Sequence, residues 1–413
     1  MARATSAAGR VRDMSLGPRR SAALAVALYA LLALPILAMH RFDLSAFVVA
    51  GDHFVEAGQT GSPSLVHRQS RGYDGQFYYR MALAPLSFAD RVGGVRFDHP
   101  AKRMQRIIYP ALAWALSGGE ARFAPAALFG LNLLALGAIA SLAVLLARAA
   151  RLPGAVAAAI VLWPGFIISL THDTTEILAT AFVLAALLAR VRARPLPYAC
   201  LGALAVLTRE TAVLVFAGIF LWDAAEAWKR RRISPDLYAG MAILLPPLVW
   251  NRILAASWAG MPQDSTVAQD LGFPFFGITD MLVDCVTGGR LWASTPAKDL
   301  VLRAIVLLTA PAILVFCVAV AMRIGRAWRS PGRLAALCLS WCLIAALMSL
   351  LSEQGPWIDP DAYLRAFTEC FVIGCLVLGL AGPSGAPGLR SWVGGAGLFA
   401  ICWVYCLVQL RIS

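Results

Sequence analysis

Charge is scarce in this 413-residue chain: charged residues make up 14% of it, against 60% hydrophobic residues and a mean hydropathy of +0.71. Soluble domains hold about 45–50% apolar and about 25% charged residues. The imbalance excludes an ordinary soluble domain and fits a polytopic membrane protein. A net charge of +13 on so few charged positions cannot cover a surface evenly. The basic runs are interrupted by apolar spans, so they form no stripe for nucleic acid. Cysteine in polar segments is nearly missing. Of the nine cysteines only Cys285 stands in one, whereas Cys200, Cys317, Cys338, Cys342, Cys370, Cys375, Cys402 and Cys406 fall in hydrophobic segments. Neither a disulfide framework nor a zinc spacing follows. HExxH, GxSxG and Walker motifs are absent, and GGAG at Gly394–Gly397 lies inside an apolar span, where small residues serve helix packing. No internal repeat of the kind many transporters carry is visible.

What is present is a succession of long apolar runs. The first, Ser21–Met39, follows Arg10, Arg12, Arg19 and Arg20. It exceeds the about 7–15 residues of a signal h-region and reads as a retained helix. Others follow at Phe123–Leu146, Pro153–Leu170, Glu176–Leu188, Leu196–Leu207, Thr211–Trp228, Leu237–Leu254, Leu300–Met322, Leu334–Leu351, Tyr363–Leu380 and Trp392–Leu410. They predict an all-α fold of about eleven transmembrane helices. Arg148 and Arg151, then Arg190, Arg192 and Arg194, then Lys229–Arg232, then Arg323, Arg326, Arg329 and Arg333, then Arg390 fall on alternate connections. Short cytoplasmic connections carry such an excess, which puts the amino terminus inside. His40–Arg122, Thr171–Thr175, Ala255–Asp299 and Ser352–Ala362 then face outward. The first of these outer loops breaks the bias, with ten cations against seven acids.

Leu196–Trp228 tests that topology. One continuous helix would run about 50 Å at 1.5 Å per residue and would put the flanking basic runs on opposite sides. Two passes keep both inside, with the turn Thr208–Thr211 short of the outer surface. Arg209 and Glu210 then sit at membrane depth, either facing a polar cavity or neutralising each other.

The first outer loop carries GYDGQFYYR (Gly72–Arg80) and FDHPAKRMQR (Phe97–Arg106), which bring acids, tyrosines and cations to the level of lipid head groups. Candidate contacts there are Tyr73, Gln76, Tyr78, Arg80, Asp98, His99, Arg103, Arg106 and Tyr109. Tyr73, Phe77 and Arg80 recur at helical spacing, predicting a short amphipathic helix at the interface. Gly72 and Gly75 bracket Asp74 and let another group approach its backbone. Asp74 is either a functional carboxylate or a helix cap. Lys102, Arg103 and Arg106 share a helical face, from which they either clamp a phosphate or snorkel. Asp173 and Glu176 have capping-box spacing. Asp359, Asp361, Tyr363, Arg365 and Glu369 mark another outer loop entering a helix, with Arg365 and Glu369 spaced as an i, i+4 pair.

A cytoplasmic amino terminus, one helix, a long outer loop with an early Asp, a return reading YPALAW (Tyr109–Trp114) and Asn132 in the next span together resemble the glycosyltransferase C superfamily. WPGFIISLTHDTTEILA (Trp163–Ala179) followed by ALAVLTRET (Ala203–Thr211) is similar to its GPI mannosyltransferase branch. The likeness covers residues 21–228, a module that includes the outer loop 40–122. It leaves a basic tail at 1–20 and a variable region at 229–413 with outer loops 255–299 and 352–362. GYDGQFYYR departs from that branch and looks like bacterial membrane proteins instead.

The resemblance implies a bacterial inner-membrane enzyme acting on the extracytoplasmic face. It would move a sugar, with inversion, from a polyprenyl-phosphate donor to a cell-envelope glycan, lipid or protein acceptor. Asp74 would be the general base, and Arg103, Arg106, Arg209 or Arg365 would meet the phosphate. Asp173, Glu176 and Glu210 complete the candidate binding residues. Some members of the superfamily use a divalent metal, for which Asp74 and Asp98 are the available carboxylates, although no spacing compels one. The competing readings are a transporter or flippase for an anionic lipid-linked glycan and a non-catalytic envelope assembly subunit.

Overall fold

The structure, a computed structural model, describes residues 17–259, 271–289, 296–330, 332–352, 356–358 and 360–382. The span expected at Trp392–Leu410, the GGAG run, Arg10, Arg12, Arg390 and Asp359 lie outside the described residues. The chain is built of helices: α1 (Pro18–Met39), α2 (Gly75–Leu83), α3 (Pro100–Met104), α4 (Ile108–Ser117), α5 (Ala124–Ala149), α6 (Gly154–Val161), α7 (Gly165–Thr171) and α8 (Glu176–Val191) come first. Then follow α9 (Pro195–Thr208), α10 (Val213–Arg230), α11 (Pro235–Ser257), α12 (Phe276–Thr287), α13 (Pro296–Trp328), α14 (Leu337–Leu350), α15 (Pro360–Ala366) and α16 (Thr368–Leu380). Among the described residues strand is confined to two short pairs in the segment before α3, Ala50–Gly51 with Val66–His67 and Arg91–Val92 with Val95–Arg96.

Among the described residues six stretches are long and apolar enough to cross a membrane: Pro18–Met39, Ala124–Ala149, Gly154–Thr171, Glu210–Arg230, Pro235–Ser257 and Asp299–Trp328. This is a smaller set than the eleven runs predict. The α8 and α9 helices have 16 and 14 residues, about 24 Å and 21 Å, less than a hydrocarbon core of about 30 Å. The run Pro153–Leu170 breaks into α6 and α7 at Trp163-Pro164, where proline removes a backbone donor. Trp163 fills the break: it is fully buried, stacks on Phe371 at 4.2 Å, and donates its indole N–H to Thr368 Oγ1 at 3.0 Å. The run Tyr363–Leu380 likewise breaks at Phe367 into α15 and α16, and the outer loop expected at 255–299 contains α12.

The core forms where α5 packs on α1, α6 and α8, α8 on α9, and α16 on α13 and α14. Met241, Leu245 and Leu248 on α11, with Val315, Val318 and Met322 on α13, stay exposed. Water does not favour such rows, and they are the surfaces a bilayer would cover.

Two helices joined by a turn, rather than one continuous helix, cover 196–228. Arg209 is extended (φ −152°, ψ 119°), a 3-10 turn covers Glu210–Ala212, and α10 doubles back. Arg190 at the far end of α8 donates to both carboxylate oxygens of Asp223 on α10, at 2.7 and 2.8 Å, and Arg333 reaches Asp236 at 2.8 Å. The basic runs around 190–194, 229–232 and 333 therefore share one end of the helices. Glu176, Arg209 and Glu210 lie at the other.

Candidate functional site

At that second end, side chains from five separated segments interlock. The α2 helix begins at Gly75, where an added Cβ would stand 2.5 Å from the His172 carbonyl oxygen and 2.8 Å from that of Val48. Only glycine lets α2 start this close to the turn between α7 and α8. Gly72, at φ +64°, makes the bend before it. Asp74 stands between these glycines at the N-cap position, but its side chain makes no cap hydrogen bond. It goes to three arginines instead. Its Oδ1 accepts from Arg103 Nη1 at 2.6 Å, and its Oδ2 lies 3.1 Å from Arg365 Nη1 and 3.5 Å from Arg106 Nη1. Burial works to raise the Asp74 carboxyl, yet Arg103, then Arg365 and Arg106 outweigh it and hold it well below the usual carboxylate range.

Each arginine has further partners. Arg103 forks onto Asp98, Nε at 2.9 Å and Nη2 at 2.6 Å, and its guanidinium lies 4.6 Å from the centre of the Phe77 ring. Burial would raise the Asp98 carboxyl, and Arg103 brings it below its ordinary value. Arg106 forks onto Glu210 at 2.7 and 2.5 Å and donates to the Tyr78 hydroxyl at 2.8 Å. Arg209 pairs with Glu176 and with Glu369, the latter at 2.7 Å. Arg365 Nη1 also lies 3.2 Å from Glu176, and its guanidinium is 4.8 Å from the centre of the Tyr73 ring. Four guanidinium groups thus meet five carboxyl groups in one connected network.

Several expectations need correcting. The α2 helix is not an amphipathic helix lying on an interface, since Gly75–Ala82 are all buried beneath the loop. Arg209 and Glu210 do not neutralise each other, because the extended Arg209 sends them to different partners. Arg365 and Glu369 are not an i, i+4 pair, because the break at Phe367 puts them on separate helices. The capping box at Asp173 does not form: Thr175 takes the N-cap position without a cap bond, and Glu176 turns to Arg209, Arg365 and Ser169. Asp173 itself is buried in the left-handed region (φ +46°), with no hydrogen-bond partner for its carboxyl among the described residues. Burial pushes that carboxyl well up.

Other candidates serve the scaffold rather than the cluster. Arg80 is fully buried, donates to the Val95 and Ala89 carbonyls, and lies over Phe97 at 3.8 Å, so it locks the small hairpin. Gln76 bridges the Gly51 N–H and the Arg71 carbonyl. Tyr109 donates to the Leu128 carbonyl and accepts from Asn132. His99 supplies its backbone N–H to Asp98. Glu369 belongs to the network although its helical spacing suggested only a local pair. Its signal was a carboxylate inside an apolar run, which is costly unless partnered.

The carboxylates do not fit a divalent metal. Arg103 already stands between Asp74 and Asp98 as their shared cation, and no group of three or more His, Cys, Asp or Glu among the described residues could hold a metal ion. Beside the network, an apolar groove of about 380 Å³ runs between α12, α13 and α14. Trp357 and Phe367, two residues beyond Arg365, line it together with Ile313, Val318 and Trp341. Neither a protein-family model, nor a curated protein, nor a solved structure matches this chain.

Proposed function

We propose that this protein is an inverting membrane glycosyltransferase that takes a sugar from a polyprenyl-phosphate donor. It passes the sugar to an envelope glycan, lipid or protein acceptor on the extracytoplasmic face of a bacterial inner membrane. The observation that carries the reading is the carboxylate of Asp74 held by three arginines from two chain segments, one of which, Arg365, stands two residues before Phe367 in the lining of an apolar groove. A polyprenyl phosphate has the matching halves: an anionic head for arginine and a hydrocarbon chain for the groove. In the reaction an acceptor hydroxyl oxygen attacks the anomeric carbon from the face opposite the phosphate. The bond from that carbon to the phosphate oxygen breaks, and its electron pair stays on the phosphate, where guanidinium charge stabilises it. The hydroxyl proton passes to Asp74. The donor carries the driving force, in keeping with a chain that has no nucleotide-binding motif.

The test begins with mass spectrometry of envelope glycans and polyprenyl-phosphate sugars with and without the gene, since an accumulating donor names the sugar. Purified protein is then assayed with that donor. Asp74→Asn should lower transfer by about 10²-fold or more, within the range of a lost general base. Parental turnover in Asp74→Asn would remove Asp74 from catalysis. A lipid that changes leaflet with no glycosidic bond formed would favour a flippase, and no change in any glycan would favour an assembly subunit.

A further inference from the structure

The four arginines of the network differ in how completely they are used. Arg103 engages Nε, Nη1 and Nη2 with Asp98 and Asp74, and Arg106 engages all three nitrogens with Glu210 and Tyr78. Arg209 engages Nε with Thr211 and Glu369 and Nη1 with Glu176. Among the described residues Arg365 uses Nη1 alone, shared between Asp74 and Glu176, and its Nε is buried without a hydrogen-bond partner. A guanidinium presents Nε and one Nη as a fork matched to two oxygens of a phosphate or carboxylate. On Arg365 that fork is the edge left unused, and two residues on the chain reaches Phe367 in the lining of the groove.

With five carboxyls already facing four guanidiniums, a phosphate that enters the unused fork of Arg365 sets its charge against the two carboxylates, Asp74 and Glu176, that share Nη1 of the same guanidinium, and one of them must yield. Glu176 is fully buried and also held by Arg209 and Ser169, and the oxygen of Asp74 facing Arg103 is tightly bound at 2.6 Å. The weakest hold is on the other Asp74 oxygen, at 3.1 Å from Arg365 and 3.5 Å from Arg106. We infer that the donor phosphate binds Arg365 by displacing Asp74 from it, so that arrival of the donor is what releases the carboxylate oxygen that accepts the proton. This rests on the donor reading above. Without donor the carboxylate is clamped and a poor base. With donor it keeps Arg103 on one oxygen, and the other, left only with the longer 3.5 Å approach of Arg106, turns toward the acceptor.

The experiment measures binding of a long-chain polyprenyl monophosphate to full-length protein in nanodiscs, with inorganic phosphate and an uncharged polyprenol as separate probes. Asp74→Asn removes the competing anion and should bind the polyprenyl phosphate about tenfold tighter or more, whereas Arg365→Gln should bind it about tenfold weaker or more, the scale of one charge-assisted hydrogen bond. Arg365→Lys should also bind weakly, because an ammonium cannot fork. Binding that parent and Asp74→Asn share equally, or that Asp74→Asn loses, overturns the exchange. If Asp74→Asn yields no folded protein, Arg365→Gln decides, since it leaves Asp74 with Arg103 and Arg106; undiminished affinity there overturns the assignment of Arg365. Equal binding of polyprenol and polyprenyl phosphate also overturns it, and inorganic phosphate binding as well as the lipid would assign the site to free phosphate. A parent protein that binds none of the probes defeats the donor reading itself, a different result from a parent that binds lipid phosphate indifferently to both residues.

Discussion

Arg80 and Arg106 are both buried arginines of the segment before α4, and they hold different things in place. Arg80 satisfies backbone carbonyls of a hairpin, while Arg106 closes on Glu210, 104 residues away. Losing one member of a buried pair costs about 3–5 kcal/mol because the other charge is left uncompensated. Glu210 keeps 36% of its side chain exposed, so the loss here should fall below that range. Arg106→Gln is therefore expected to lower the thermal midpoint in detergent by an amount worth about 2 kcal/mol, and adding Glu210→Gln should recover most of it. If the double variant is no more stable than Arg106→Gln, the pair is not what Arg106 provides. At this scale the sequence was informative about identity and silent about partner. Asp74, Arg103, Arg106, Glu176, Arg209, Glu210 and Arg365 stand out as charges beside or within apolar runs, and all of them enter the network. Their pairing across 29 to 291 residues leaves no periodic trace.

Helices show the reverse. Apolar runs mark where α1, α5, α10 and α11 lie to within a few residues. The internal breaks at Trp163-Pro164 and Phe367 escape a reading based on run length, because the apolar run resumes beyond each and only Pro164 marks the first of them. Position along a helix also decides what a glycine does. Gly75 opens α2 against the His172 and Val48 carbonyls, so Gly75→Ala should lower thermal stability by forcing the start of α2 off them. Gly130 lies inside α5, and a methyl group added there would meet nothing within 4 Å among the described residues. Gly130→Ala should be neutral or stabilising, by up to about 1 kcal/mol of helix propensity. Melting curves of the two variants, measured side by side, check the contrast; an equal response would mean the Gly75 contact yields without cost.

For the molecule as a whole, the alternation of basic connections foretold which loops share an end, and the Arg190–Asp223 and Arg333–Asp236 pairs bear this out for 190–194, 229–232 and 333. Which end faces outward is testable. In a cysteine-free background, Arg68→Cys should react with an impermeant thiol reagent in intact cells and Ile233→Cys should react only after lysis. The opposite pattern would invert the orientation and move the proposed chemistry to the cytoplasm. The number of crossings was less legible, because hydropathy alone does not separate a short buried helix such as α8 or α9 from one that reaches both surfaces.

The pairing of Arg209 with Glu369 has one more consequence, in the order of synthesis. A ribosome delivers Arg209 some 160 residues before Glu369, and Asp74 some 291 residues before Arg365. During that interval Glu176 and Arg209 have each other, but the side of the network formed by α15 and α16 does not yet exist. Assembly therefore finishes at its newest part, and a nascent chain halted in α14 carries a polar mouth open toward lipid. Such a chain is the natural substrate for membrane quality control, so stalled or shortened products of this gene should be cleared by proteolysis rather than accumulate.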